Sequence, residues 1–303
     1  KATTISLLIP KNAKYVHQIS PLIEIKYYKL KSRYNPFFYY DIYSKLKLLN
    51  PDIVHTHFAK ASEIFYKINF FLKKIHIATK HNPRKAKIFD RISYVTAVSK
   101  EVQKSINHMN VKLIYNGISN QSKKNQKIKN SEFTICAIGR LEKIKGFDIL
   151  IESFSKLKCA AILKIYGEGK ERANLEQLIS NLNLEKKVFL CGFTNTIEEK
   201  ISNAHLVIVS SLSEGFSMVI LESMFYGNLL ISTPVGIAKE ILDKQFLIKD
   251  NQFAEKIEEV IQNYNTYKEN FDIFRNKNKN SFLLNNIAAE YINYYRECLI
   301  NEK

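Results

Sequence analysis

Short runs rich in Ile and Val recur along the chain and alternate with longer amphipathic stretches of helical period. This is the pattern of a parallel sheet flanked by helices. In the first half the spacing predicts strands over 5–9, 53–57, 75–79, 94–98 and 112–115. Helices are expected over 37–49, 59–74 and 99–107, the last opened by Ser99 as N-cap. Residues 119–130, SNQSKKNQKIKN, then contain one apolar residue in twelve and no period. Such a stretch can bury no face and reads as a linker. Beyond it the alternation restarts, predicting strands over 133–138, 160–166, 187–190, 205–210 and 229–232 and helices over 147–157, 171–182, 197–203 and 217–226. A last helix over 282–300 carries apolar residues at Leu283, Ile287, Tyr291, Tyr294 and Tyr295, and either domain is open to receive it. The expected organisation is an α/β chain of two doubly wound, Rossmann-like domains, 1–118 and 131–280, joined by the linker and followed by a C-terminal helix over 281–303. A ligand would sit between them, outside the carboxyl ends of the strands.

Composition narrows the function classes. The chain's 303 residues exceed what one core usually serves, and 46% hydrophobic content fills two. Four cysteines lie without C-x-x-C spacing, which argues against a zinc site or a disulfide framework and fits a reducing, cytoplasmic setting. No run reaches the roughly 20 apolar residues that span a bilayer. The net charge of +17 attracts polyanions without choosing among nucleic acid, anionic lipid and phosphorylated substrates, and a Lys-, Asn- and Ile-rich composition alone inflates it.

Two segments carry the chemistry. In CAIGRLEKIKG, 136–146, a strand end is followed by Gly139, where the backbone can pass close to a ligand, and by two bracketing cations, Arg140 and Lys145. A guanidinium fork and a mobile ammonium together suit a diphosphate, although the same segment taken alone also reads as a solvated loop. In SSLSEGFSMVILESMFYG, 210–227, a strand gives way to a glycine-containing loop and then a helix. The N–H groups of Ser217, Met218 and Val219 at the helix start form an anion site, and Glu214 and Glu222 suit the hydroxyls of sugar and ribose. The plainer alternative has Glu214 capping the helix and Glu222 merely exposed.

Together these residues resemble the retaining glycosyltransferases of family 4, which have the GT-B fold. The similarity runs through GRLEKIKG at 139–146, IYGEGKER at 165–172, VFLCGFT at 188–194, SLSEGFSMVILESMFYG at 211–227 and TPVGIAKEIL at 233–242. It continues, more weakly, through PDIVHTHF at 51–58, the pair His81–Asn82, VTAVSKEV at 95–102 and IYNGI at 114–118. Five motifs in order and spacing are more specific than any one. The resemblance implies that Arg140 and Lys145 grip the donor diphosphate, that Glu222 binds ribose hydroxyls and Glu214 the transferred sugar, and that the backbone of Gly215, Phe216, Ser217, Met218 and Val219 meets sugar and phosphate. It implies that His81 lies near the anomeric centre. His55 and His57 are read as pointing to opposite faces of their strand, with His57 facing the cleft. Gly167 and Gly169 read as a tight turn. Two departures stand out: Gly236 is followed by Ile237 where the family commonly has a second glycine, and nothing matches the family's first strand and glycine loop. An upstream strand is therefore expected, since a parallel sheet without it leaves neighbours unpaired.

The expected activity is retaining transfer from a nucleotide sugar to a cell-envelope acceptor such as lipopolysaccharide, a lipid-linked saccharide or a polysaccharide. The protein's own cations would balance the leaving group, with no metal or other cofactor. A GT-B-fold epimerase, a non-catalytic relative and a basic binding protein are the competing readings. The last lacks any nucleic-acid module, and no carboxylate pair is placed for glycoside hydrolysis. The stretch 67–91, which mixes aromatics with Lys67, Lys73, Lys74, Lys80, Arg84, Lys85, Lys87 and Arg91, predicts peripheral contact with an anionic membrane from the cytoplasmic side.

Overall fold

The structure, a computed structural model, describes residues 4–13, 15–32, 34–108, 110–119, 132–249 and 252–302. Apart from Ser119, the expected linker lies outside the described residues.

The first domain opens with a parallel pair, β1 (Ser6–Pro10) and β2 (Glu24–Tyr28). It continues through α1 (Pro36–Leu49), β3 (Ile53–His57), α2 (Phe58–Leu72), β4 (Ile75–Lys80), β5 (Tyr94–Ala97), α3 (Lys100–Lys104) and β6 (Val111–Leu113). Strands β3 to β6 pair in parallel in chain order, and among the described residues no ladder joins β1 to β3. The helices begin where their sequences say they should. Asn35 accepts the Phe37 N–H at 2.9 Å and Pro36 takes the first position of α1, where a missing donor costs nothing. Ser99 accepts the Val102 N–H at 3.2 Å, the cap expected of it, although α3 ends at Lys104, short of the predicted 107.

The second domain contains β7 (Thr134–Ile138), α4 (Phe147–Phe154), β8 (Ile162–Tyr166), α5 (Arg172–Asn181), β9 (Val188–Gly192), α6 (Ile197–Ser202), β10 (Leu206–Val209), α7 (Met218–Tyr226), β11 (Leu230–Ser232) and the short α8 (Ala238–Ile241). Its parallel strands run in the order β11, β10, β7, β8, β9. The chain therefore reverses direction across the sheet between β7 and β10. Both are buried on both faces, which is why they read as unbroken apolar runs rather than alternating ones. Helices α9 (Phe253–Gln262) and α10 (Tyr264–Asn278) complete this core with Phe253, Ile257, Val260 and Phe271. The long α11 (Leu284–Asn301) then returns to the first domain, placing Ile287, Tyr294 and Cys298 against Ile77 and Ile114. The two crossings between domains touch: Ile118 N–H donates to the Phe282 carbonyl, and Leu284 N–H to the Ile118 carbonyl, each at 2.9 Å. Two parallel-sheet α/β domains are the GT-B fold expected from the motifs, and the last helix, left open to either domain, joins the first.

Candidate active site

The loops after β7 and β10 emerge side by side at the point where strand order reverses, the position at which open α/β sheets bind ligands. Backbone and side chain tie the two motifs together. Leu212 N–H donates to the Ile144 carbonyl at 2.8 Å, and Ser210 Oγ to the Lys145 carbonyl at 2.8 Å. Gly146, at φ +62°, makes this approach possible: a Cβ there would stand 2.3 Å from the Ser210 carbonyl oxygen.

Lys145 and Glu214 form one unit. Lys145 Nζ lies 2.5 Å from Glu214 Oε1, which also accepts from Ser211 Oγ at 2.8 Å. Their side chains are 19% and 12% exposed, so the pair is sheltered and its Coulomb attraction only partly screened. Arg140 stands apart from them, with a side chain 73% exposed and Nη1 bonded at 2.6 Å to Glu142, two residues on. Of the two cations expected to bracket a diphosphate, one lies inside the loop pair and the other stands in solvent, held by Glu142. Glu214, given helix capping as its plain alternative, leaves the start of α7 uncapped and serves Lys145 instead. Ser217 occupies the N-cap position and is buried, and its side chain caps none of the first N–H groups of α7. Glu222 follows Met218 by one helical turn and faces the same way. Burial, and second the nearby charge of Glu198, raise its carboxyl to about 7.

The first domain supplies imidazoles. His57 at the end of β3 and His81 just after β4 meet through Nδ1 and Nε2 at 3.0 Å. The expectation that His55 and His57 face opposite ways is overturned. Residues two apart in a strand share a face, and the two rings stack 4.5 Å apart. His55 is held between Tyr295 Oη and Thr79 Oγ1, both at 2.6 Å, so the returning α11 anchors the back of the histidine row. Burial lowers His81 to about 4, with the charge of His57 adding to it, and lowers His55 to about 3. His81 is therefore a neutral imidazole at neutral pH, a hydrogen-bonding group rather than a cation. Its other face carries the Phe58 ring, 4.4 Å away. Phe58 sits at φ +66°, a left-handed conformation unusual for a bulky side chain and of the kind found where a site is held under strain.

The domains close on one another here. A Cβ on Gly215 would lie 1.9 Å from the His81 carbonyl oxygen, so the glycine of the loop after β10 rests on the histidine's own backbone. Phe216 packs against both domain cores, its ring 6.3 Å from that of Tyr115. Glu240 in α8 accepts from Lys100 N–H at 2.6 Å and Tyr115 Oη at 2.9 Å, and Glu101 in return accepts from Gly236 N–H at 3.2 Å. Sequence reasoning named Gly139, Arg140, Lys145, Glu214, Gly215, Phe216, Ser217, Met218, Val219, Glu222, His57 and His81 as site residues and passed over Gly146, Ser210 and Ser211, which tie the two loops and Glu214 together. It missed Phe58, Tyr115, Glu240 and Tyr295, whose roles arise from contacts more than a hundred residues apart or from a backbone angle.

Relatives place these features in context. Residues 119–277, more than half of the chain, match the family described as glycosyl transferases group 1. An O-antigen biosynthesis glycosyltransferase of Escherichia coli is 30% identical over 207 residues, which is 62% of this chain and 57% of that protein. An N-acetylgalactosamine-N,N'-diacetylbacillosaminyl-diphospho-undecaprenol 4-alpha-N-acetylgalactosaminyltransferase of Campylobacter jejuni is 35% identical over 123 residues, 40% of this chain and 34% of that protein. The chain thus matches less than two thirds of the length of these relatives. Anabaena HepE superposes in its complex with UDP at a TM-score of 0.83 and 17% identity, over 97% of this chain and all of that one. Its complex with UDP-glucose superposes at 0.81 and 19%, over 91% and 86%. With its loops at the sheet's switch point and this matched half, the chain belongs to the glycosyl transferases group 1 family.

Proposed function

We propose that the chain transfers a sugar from a nucleotide-sugar donor to a saccharide or lipid-linked acceptor of the cell envelope, with retention at the anomeric carbon and without a metal. The observation that carries this reading is the tied loop pair. It holds Lys145 and Glu214 together before the start of α7, with Gly215 of the same loop against the His81 backbone of the facing domain. The names of the relatives support the substrate class: one acts in O-antigen biosynthesis, one on a diphospho-undecaprenol-linked sugar, and HepE binds UDP-glucose.

In this reading Lys145 and the exposed Arg140 hold the diphosphate, and the helix-start N–H groups take its remaining oxygens. These charges are fixed before the glycosidic bond breaks, so they stabilise the leaving group as its charge grows and take the place of a divalent cation. Glu222 accepts the ribose hydroxyls. Glu214 orients the transferred sugar while keeping the Lys145 ammonium in place, and neutral His81 contributes a hydrogen bond near the anomeric carbon. The acceptor hydroxyl attacks from the side the leaving group vacates. The enzyme works at the cytoplasmic face of the envelope membrane, where such acceptors are built.

A donor panel tests this. One of UDP- or GDP-linked sugars should raise the melting temperature, because a ligand bound only by the folded state adds to its stability. Product should form only when a saccharide or lipid-linked acceptor is added, whereas an epimerase would convert the donor alone. Lys145→Ala and Arg140→Ala should stay folded and lose about a hundredfold in turnover, the order of effect of one preorganised partner. EDTA should leave the wild-type rate intact. Activity that disappears with chelator and returns with manganese rejects the metal-free reading.

A further inference from the structure

The basic and aromatic stretch at 67–91 does not form one surface. Lys80, in its middle, is 2% exposed and donates to the Ser105 carbonyl at 3.0 Å and to Ser105 Oγ at 2.8 Å. The exposed aromatics instead gather on the outer flank of α1 and α2. On α2, Phe70 and Phe71 are 77% and 72% exposed, and on α1, Phe37 and Tyr40 are 71% and 67% exposed. Residues 37, 40, 44 and 48 share one helical face, and Phe38, Ile42 and Leu46 on the opposite face fill the core. The exposed rings are therefore surplus to folding.

Ring contacts join the two helices into one surface. Phe71 meets Tyr43 edge-on at 6.4 Å and Phe70 at 5.2 Å. Lysines lie along this surface: Lys31 is 5.8 Å above exposed Phe37, while Lys47 is 5.8 Å above Tyr43 and Lys67 5.6 Å above Tyr39, both half-buried rings at its inner edge. The stripe runs the length of α1, about 20 Å at 1.5 Å per residue. Exposed rings interleaved with ammonium groups suit the boundary between headgroups and acyl chains, where an aromatic side chain has one end in each medium and a lysine meets phosphate. A protein partner would equally accept the rings. Lys31 over exposed Phe37, and Lys47 and Lys67 over the half-buried Tyr43 and Tyr39 beside the other rings, in a chain of net charge +17, favour a dense anionic plane.

We propose that the α1–α2 flank is the docking surface for an anionic lipid bilayer, which the first domain lies against through Phe37, Phe70 and Phe71 with Lys31, Lys47 and Lys67 on headgroup phosphates. The contact needs neither donor nor acceptor, so it is tested apart from glycosyl transfer. The test is co-sedimentation of the full chain, without nucleotide sugar, with vesicles of phosphatidylglycerol and phosphatidylcholine or of phosphatidylcholine alone. Binding should require phosphatidylglycerol and weaken with added salt. Lys47→Gln with Lys67→Gln should reduce it about 25-fold, at about fivefold for each surface lysine. Phe70→Ser with Phe71→Ser should reduce it at least tenfold, with an unchanged melting temperature showing that both variants fold. Equal binding to the two vesicle types, or wild-type binding by both variants, overturns the proposal. So does a dimer in sedimentation velocity that the phenylalanine variant dissolves, since the rings would then serve a second copy of the chain.

Discussion

Gly215→Ala measures how closely the two halves of the site must meet. The added methyl would lie 1.9 Å from the His81 carbonyl oxygen and 2.8 Å from the His81 carbonyl carbon and Asn82 Cα, all of them backbone. No side-chain rotation relieves such an overlap. Ordinary contact begins at 3.4 Å, so the loop has to retreat from His81 by the difference, about 1.5 Å. Glu214 and the start of α7 flank this glycine and retreat with it. A misplacement of about 1 Å in a reacting constellation can cost a hundredfold in rate, so turnover should fall on that order. Folding should survive, because the clash lies between the domains and only the half-buried Phe216 of the retreating loop packs on both cores. The melting temperature should move by no more than a few degrees, the response to about 1 kcal/mol in domains of this size. The assay is steady-state transfer with the donor identified by thermal shift, and that shift should persist in the variant. Turnover within threefold of wild type would refute the idea that the Gly215–His81 approach is needed for catalysis.

If Glu222 binds the ribose hydroxyls as proposed, its carboxyl at about 7 gives a pH-dependent donor affinity: as pH rises through 7 the carboxylate forms, so KM for the donor should fall, and Glu222→Gln should flatten the profile. The same raised carboxyl contributes stability that is complete below its ordinary 4.5 and lost as pH rises through 7. Glu222→Gln should therefore melt higher than wild type at pH 8, by an amount on the order of 2 kcal/mol after allowing for screening. The buried imidazoles work in the opposite direction: His55 at about 3 and His76 at about 4 contribute stability present above 6.5 and lost as pH falls, so the urea midpoint should drop from pH 7 to pH 4.5, and less steeply in His55→Asn. Glu240→Ala removes the acceptor of two hydrogen bonds between domains and should enlarge the radius of gyration in small-angle scattering while leaving each domain's circular dichroism unchanged.

The second domain was legible because its central strands are buried on both faces. Thr134–Ile138 and Leu206–Val209 read as near-continuous apolar runs, with Thr134 their one polar position. The loops that follow them were legible through glycines and charges whose spacing matches a family. Strand β2 was missed because EIKYY carries two charges in five residues and keeps one face partly wet. Helices α9 and α10 went unread although Phe253, Ile257 and Val260 hold a helical period; a helix without a chemical motif gave no reason to look. The histidine row was misjudged by an error of geometry, in that positions 55 and 57 lie on one face. The contacts that close the cleft were out of reach for a different reason. Glu240 meets Tyr115 across 125 residues of chain, and no local pattern records such a pairing.

The return of α11 to the first domain also sets the order in which the molecule can be made. The face of β4 that buries Ile77, and Ile114 just beyond β6, are complete only when Ile287, Tyr294 and Cys298 cover them, and His55 is pinned only when Tyr295 arrives. On a ribosome advancing at about 5–20 residues per second, the stretch between β6 and α11 takes roughly 10–35 s to synthesise. Through that interval the nascent first half presents an open apolar face, while the second half, whose core lies between residues 118 and 282, can collapse on itself as soon as it emerges. The domain that starts first thus finishes last, and a nascent-chain chaperone has its longest claim on the end of the protein that was translated earliest.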